Sequence, residues 1–149
     1  MTRRYEYVIH RRTVASPRTL FALVADGAHW SQWAAPLIPY SAWECLDPDG
    51  GVGVGAIRAV GTRRWPYREM ITIYEPGRRH GYTMLTDGPL QDYQAEVVFD
   101  EDAGGTLVTW RGRYETRWRA VGVGYWLMLR VVLGTLARKL VVAAERAAG

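Results

Sequence analysis

The 149 residues predict an α+β fold: one antiparallel sheet packed on a long C-terminal helix, with two short helices after the first strand. Three observations carry this expectation. From Tyr40 to Arg117 the texture is all strand and turn, with breaks spaced for consecutive hairpins. Those hairpins, folded at the breaks, agree on which side of the sheet is apolar. Beyond Gly122 and Gly124 the period changes, and Tyr125 to Ala148 reads as one helix. The length suits a single domain over residues 1–149 and is short for two.

In order along the chain, Arg4 to Val14 is rich in Tyr, Val, Ile and Thr and reads as a strand. Ser16-Pro17 is a helix start: serine caps, and proline at the first helical position loses no needed donor. Leu20, Phe21, Leu23 and Val24 give that helix a buried side, and Gly27 ends it. Trp30 and Trp33 share one face of a second helical turn, which Pro36 and Pro39 stop. This pair is read as packing in preference to a lid. The turns that follow fall at 47–51, near 61–64, at Pro76-Gly77, at 87–89 and at 100–105.

Side chains alternate along a strand, and paired residues share a face. One side of the meander collects Tyr67, Glu69, Ile71 and Ile73, then Tyr82 and Met84. It continues with Tyr93, Ala95, Val97 and Phe99, and ends with Val108, Trp110, Gly112 and Tyr114. The other side collects Arg68, Thr72, Gln94, Glu96, Arg111 and Arg113, among other polar residues. The sheet therefore has one buried and one solvated face. Folding the chain about Thr62-Arg63 places Arg58 opposite Tyr67 and diagonal to Glu69, on the inner side. Unpaired buried charge is costly, so the two are expected to pair or to sit near water; the alternatives are that both lie at the sheet edge or that the register is displaced by one residue.

The order of elements resembles the SRPBCC (START-like) superfamily, in its polyketide cyclase/dehydrase-like branch. The likeness is carried by Val14-Ala15-Ser16-Pro17, Trp30-Ser31-Gln32-Trp33, the run from Gly53 to Arg58, the run from Tyr74 to Arg79, and the run from Gly105 to Trp110. It covers nearly the whole chain. The resemblance implies a helix-grip fold, in which a curved antiparallel β-sheet wraps around the long C-terminal α-helix. It also implies a cavity between sheet and helix that holds lipids, polyketides, sterols or other apolar ligands. It brings no shared catalytic set.

Composition narrows the classes. The formal charge is +4, and Lys139 is the only lysine. The arginines are dispersed as pairs, several at turns, with no continuous basic run, so nucleic acid is not expected as a partner. The single Cys45 excludes an internal disulfide and a cysteine-only metal cluster. His10, His29 and His80 stand far apart with no ligand spacing, and neither metal nor cofactor is expected. Gly51-Val52-Gly53-Val54-Gly55 lacks the lysine and the following helix of a phosphate loop, and no nucleophile elbow surrounds a serine. Gly122, Gly124, Arg130 and Gly134 interrupt the apolar stretch from Ala120 to Ala137, which favours a buried helix over a membrane span. Peripheral membrane contact stays open. No leader is evident, and the reading is cytoplasmic.

Three function classes follow. The first is a carrier for a hydrophobic small molecule. The second is a cyclase or dehydratase in which Arg58 and Glu69, helped by Tyr67 or Tyr82, handle protons. The third is an interaction module with a Trp-rich surface. Seven Trp and nine Tyr against two Phe suit a half-wet pocket. The expected cavity wall is Arg58, Tyr67, Glu69, Ile71, Tyr82, Met84, Tyr93, Val97, Val108 and Trp110.

Overall fold

The computed structural model describes residues 1–148. Seven strands and three helices follow in the order β1 (Arg3–Thr13), α1 (Pro17–Ala25), α2 (Trp30–Ala34), β2 (Tyr40–Cys45), β3 (Ile57–Gly61), β4 (Pro66–Glu75), β5 (Arg79–Met84), β6 (Gln91–Asp102), β7 (Gly105–Thr116) and α3 (Arg119–Ala148). The strands form one antiparallel sheet in the order β1-β7-β6-β5-β4-β3-β2. Strands β2 to β7 are a continuous meander, and β1 closes onto β7 with Arg3 opposite Thr116. The sheet grips α3, which packs along β1, β7, α1 and α2. This is the helix-grip fold, with its two short helices after the first strand.

Local chemistry explains the element ends. Ser16 Oγ accepts a hydrogen bond from the Thr19 N–H, and Pro17 opens α1. The Asp47 carboxylate accepts N–H bonds from Asp49, Gly51 and Gly53, which folds the glycine-rich run into a turn before β3. The inner face is continuous from Phe99 opposite Val108, through Val97 opposite Trp110, to Ala95 opposite Gly112. Leu20 and Val24 of α1 and Leu136 and Leu140 of α3 are buried in the same core.

Three features differ from the sequence reading. Arg58 stands directly opposite Glu69, and Tyr67 faces Val60. The hairpin turns through the four residues Thr62 to Trp65, not a two-residue turn, so the register moves by two and the faces are kept. Strand β4 carries a bulge between Ile71, opposite Tyr82, and Ile73, opposite Gly81. The extra residue inverts the alternation, so Ile73 leaves the inner face while Tyr74 and its partner His80 enter it. Helix α3 begins at Arg119, six residues before Tyr125. Gly122 lies inside it because an added Cβ would come within 2.3 Å of the Tyr5 ring, a close approach only glycine allows.

Candidate functional site

A cavity of about 410 Å³ lies between the inner face of the sheet and α3. The sheet contributes Val60 and Gly61 of β3, Tyr67 and Glu69 of β4, Tyr82 and Met84 of β5, and Tyr93 of β6. Helix α3 contributes Tyr125, Met128, Leu129, Val132, Leu133 and Leu136, one face at helical spacing. Trp30 and Ile38 form the floor, and the β5–β6 loop from Thr86 to Leu90 forms part of the rim. Inside a rim that carries Thr86 and Asp87, the wall is apolar and aromatic except for one buried carboxylate, that of Glu69.

Glu69 is fixed from behind. Arg58 Nε donates to Glu69 Oε1 at 2.9 Å, and Arg58 Nη1 donates to the Val24 carbonyl at 3.0 Å. The guanidinium lies 4.3 Å from the Trp30 ring centroid and 4.9 Å from that of Tyr82, a cation–π sandwich. Arg58 has no solvent-exposed surface. Burial pushes the Glu69 carboxyl above its ordinary range, and the adjacent Arg58 partly opposes that shift. Arg58 makes the one hydrogen bond the carboxyl receives among the described residues, which leaves acceptor capacity at the cavity wall.

Around this pair the tyrosines are tied together. The Tyr7 and Tyr93 hydroxyls share a short hydrogen bond, and Trp110 Nε1 donates to Tyr82 Oη at 3.3 Å. The rings of Tyr93 and Tyr114 stack at 6.2 Å, and those of Tyr5 and Tyr114 at 5.5 Å. Burial pushes the Tyr7, Tyr82 and Tyr93 hydroxyls well above the usual phenol range, so they stay protonated.

Of the ten residues read as cavity wall, the structure brings Tyr67, Glu69, Tyr82, Met84 and Tyr93 to the cavity surface. Arg58 sits one layer behind it. Ile71, Val97, Val108 and Trp110 share the inner face but lie in the packed core, where α1 packs on β5 and β6 and Trp30 of α2 meets Trp110. Face alternation identifies which side of a sheet is inner, and not how far the hollow extends along it. The helix wall, Val60 and the β5–β6 rim escaped the sequence reading. The spacing of Tyr125, Met128, Val132 and Leu136 was the available signal for the helix wall.

The chain matches, over residues 6–146, the family described as polyketide cyclase / dehydrase and lipid transport. It belongs to that family. No curated protein matches it by sequence. Among solved structures it is similar to the protein MLL2253 of Mesorhizobium loti, with a TM-score of 0.72 at 12% identity, covering 95% of this chain and 98% of that one. It is similar to XoxI of Bacillus cereus, with a TM-score of 0.71 at 16% identity over 98% of each chain. A third likeness is to the di-domain ARO/CYC StfQ of the steffimycin biosynthetic pathway. There the TM-score is 0.74 at 14% identity, and 98% of this chain covers 52% of that one. These likenesses establish the fold. Among the described residues, no helix is long and apolar enough to cross a membrane, and no cluster of three His, Cys, Asp or Glu residues is placed to hold a metal ion.

Proposed function

We propose that this chain binds and carries an apolar small molecule whose uncharged polar end donates a hydrogen bond to Glu69. The observation that carries the reading is the one buried carboxylate, neutralised by Arg58, at the wall of a largely apolar cavity. Pockets that hold drug-sized ligands span roughly 300–1,000 Å³. A cavity of about 150 Å³ holds one benzene ring, so about 410 Å³ suits a molecule of roughly two to three rings or an alkyl chain of equal bulk. The Arg58–Glu69 pair carries no net charge, so a ligand carboxylate would meet the Glu69 oxygens without a free cation to answer it. A hydroxyl or phenol would donate to the open acceptor.

The test compares 2-naphthol with 2-naphthoate by calorimetry, in the wild type and in Glu69→Gln. Naphthol should bind at least about tenfold more tightly, a difference worth about 1.4 kcal/mol. The variant should lose that preference, because Arg58 is left without its carboxylate. Equal affinity of the wild type for both ligands would contradict the reading.

A second reading is a cyclase or dehydratase, favoured by the raised Glu69 carboxyl beside the protonated Tyr82 and Tyr93 hydroxyls. Glu69 would take a proton from the carbon next to a ketone and return it to a departing hydroxyl, which leaves as water. Arg58, enclosed behind Glu69, would position that carboxylate without touching substrate. The family's description spans both readings. Loss of turnover in Glu69→Gln with ligand binding retained would select the enzyme.

A further inference from the structure

Strand pairing brings one set of chain segments to the same end of the sheet. The pairs Arg3–Thr116, Gln91–Glu115, Glu69–Met84, Gly61–Pro66 and Tyr40–Gly61 all lie there. So do the start of β1, the β3–β4 loop, the β5–β6 loop, the α2–β2 connection and the β7–α3 junction. The cavity opens among them, through Leu37, Tyr67 and the β5–β6 rim.

Large apolar side chains are left in water at this end. Trp65 is 74% exposed and Trp118 is 59% exposed, and Leu37 and Leu85 are exposed as well. Each tryptophan has arginine neighbours in sequence: Arg63-Arg64-Trp65 and Arg117-Trp118-Arg119. Arg3 and Arg4 are at the same end, and all six arginines are exposed. The carboxylates there are Asp87, Asp92 and Glu115, and Glu115 already faces Arg4 at 3.9 Å. The opposite end carries Asp47, Asp49, Glu75, Asp100, Glu101 and Asp102. It also carries Glu145 and the arginines Arg11, Arg12, Arg18, Arg78, Arg79 and Arg146, so its charges nearly cancel, and Arg12 and Arg79 pair with Asp102 and Glu75. The net positive charge of the molecule is therefore concentrated around the cavity mouth.

We propose that this end docks on an anionic bilayer surface, with Trp65 and Trp118 at headgroup level and their flanking arginines on lipid phosphates. Indoles favour that depth, and basic side chains are drawn to anionic leaflets. The near-neutral far end offers the same surface no competing attraction, so the basic mouth leads the approach. Cargo then enters the cavity from the lipid phase without crossing water. An acidic protein would also meet the six arginines. Two indoles on separate segments at the end where the apolar cavity opens, each flanked by arginines, fit the headgroup–acyl boundary better. The proposal deepens the carrier reading, but docking is measured without cargo, so either can fail alone.

The full chain is sedimented with vesicles of phosphatidylglycerol and phosphatidylcholine, and with phosphatidylcholine alone. Binding should need the anionic lipid and weaken with salt. Arg63→Glu/Arg64→Glu should reduce binding at least about tenfold, and Trp65→Ser/Trp118→Ser should reduce it with the charge intact. Arg78→Glu/Arg146→Glu, the same charge change away from the mouth, should leave binding within about twofold. Melting temperature and affinity for 2-naphthol in solution should be unchanged in all three, which separates docking from the cavity. No binding to the anionic vesicles, equal binding to both vesicle types, or equal loss in the far-end variant would overturn the proposal. So would tryptophan substitutions without effect, the result expected for a purely electrostatic protein partner.

Discussion

Arg58 has its guanidinium between two rings and two of its nitrogens on Glu69 and Val24. Replacing it with methionine strands Glu69 as a buried carboxylate, so Arg58→Met should cost about 3–5 kcal/mol in a denaturant titration. Adding Glu69→Gln should recover part of that loss, because the two changes are coupled. Additive losses would show that the pair does not interact as described. His80 is a further buried titratable group on the inner face, and neither of its ring nitrogens has a hydrogen-bond partner among the described residues. It packs on Phe21 and Tyr74, and burial, helped by the Arg58 charge, takes its pKa down from 6.5 to about 3. The folded state holds His80 neutral while the unfolded chain takes up a proton below its own value. Stability is therefore full above pH 6.5 and falls as the pH drops toward the folded value. Between pH 7 and pH 5 the wild type should lose about 2 kcal/mol relative to His80→Leu. Parallel pH profiles of the two proteins would contradict this.

At the scale of the elements, most of the sheet was legible in the sequence and its irregularities were not. The hairpins β5–β6 and β6–β7 follow from turn residues and alternation, and their faces are as expected. The β3–β4 register moved because Trp65 and Pro66 do not look like a turn followed by a strand start. The β4 bulge was hidden because both Ile73 and Tyr74 are apolar, so either one satisfies the pattern. His80 was correspondingly weighed only as a metal ligand and set aside, because its burial depends on that bulge. The start of α3 was masked by Gly122 and Gly124, which normally argue against a helix. Gly122 is instead required by Tyr5, and its carbonyl accepts a 2.7 Å hydrogen bond from Tyr114 Oη. Helix α3 covers the cavity and much of the β1–β7 half of the sheet. Truncation before Arg119 should therefore leave an insoluble or molten remainder with no cooperative unfolding by circular dichroism. A cooperative melt of that fragment would show the helix to be an appendage.

In the whole molecule, an aromatic inner face, one anchored carboxylate and a helix wall together bound a single hollow. Sequence reasoning reached the face and the Arg58–Glu69 proximity. It could not reach the volume, which depends on how far α3 stands off the sheet. The decisive measurement is the binding of a neutral apolar dye, N-phenyl-1-naphthylamine, to the wild type and to Val132→Trp. The added indole projects from α3 into the cavity, at a half-buried position packed against the edge of the core. The wild type should bind one dye with micromolar affinity and release it to 2-naphthol. Val132→Trp should keep its melting temperature and lose at least about tenfold in dye affinity. Equal affinity in the two proteins would place the dye on the surface and contradict the claim that this fold encloses a ligand.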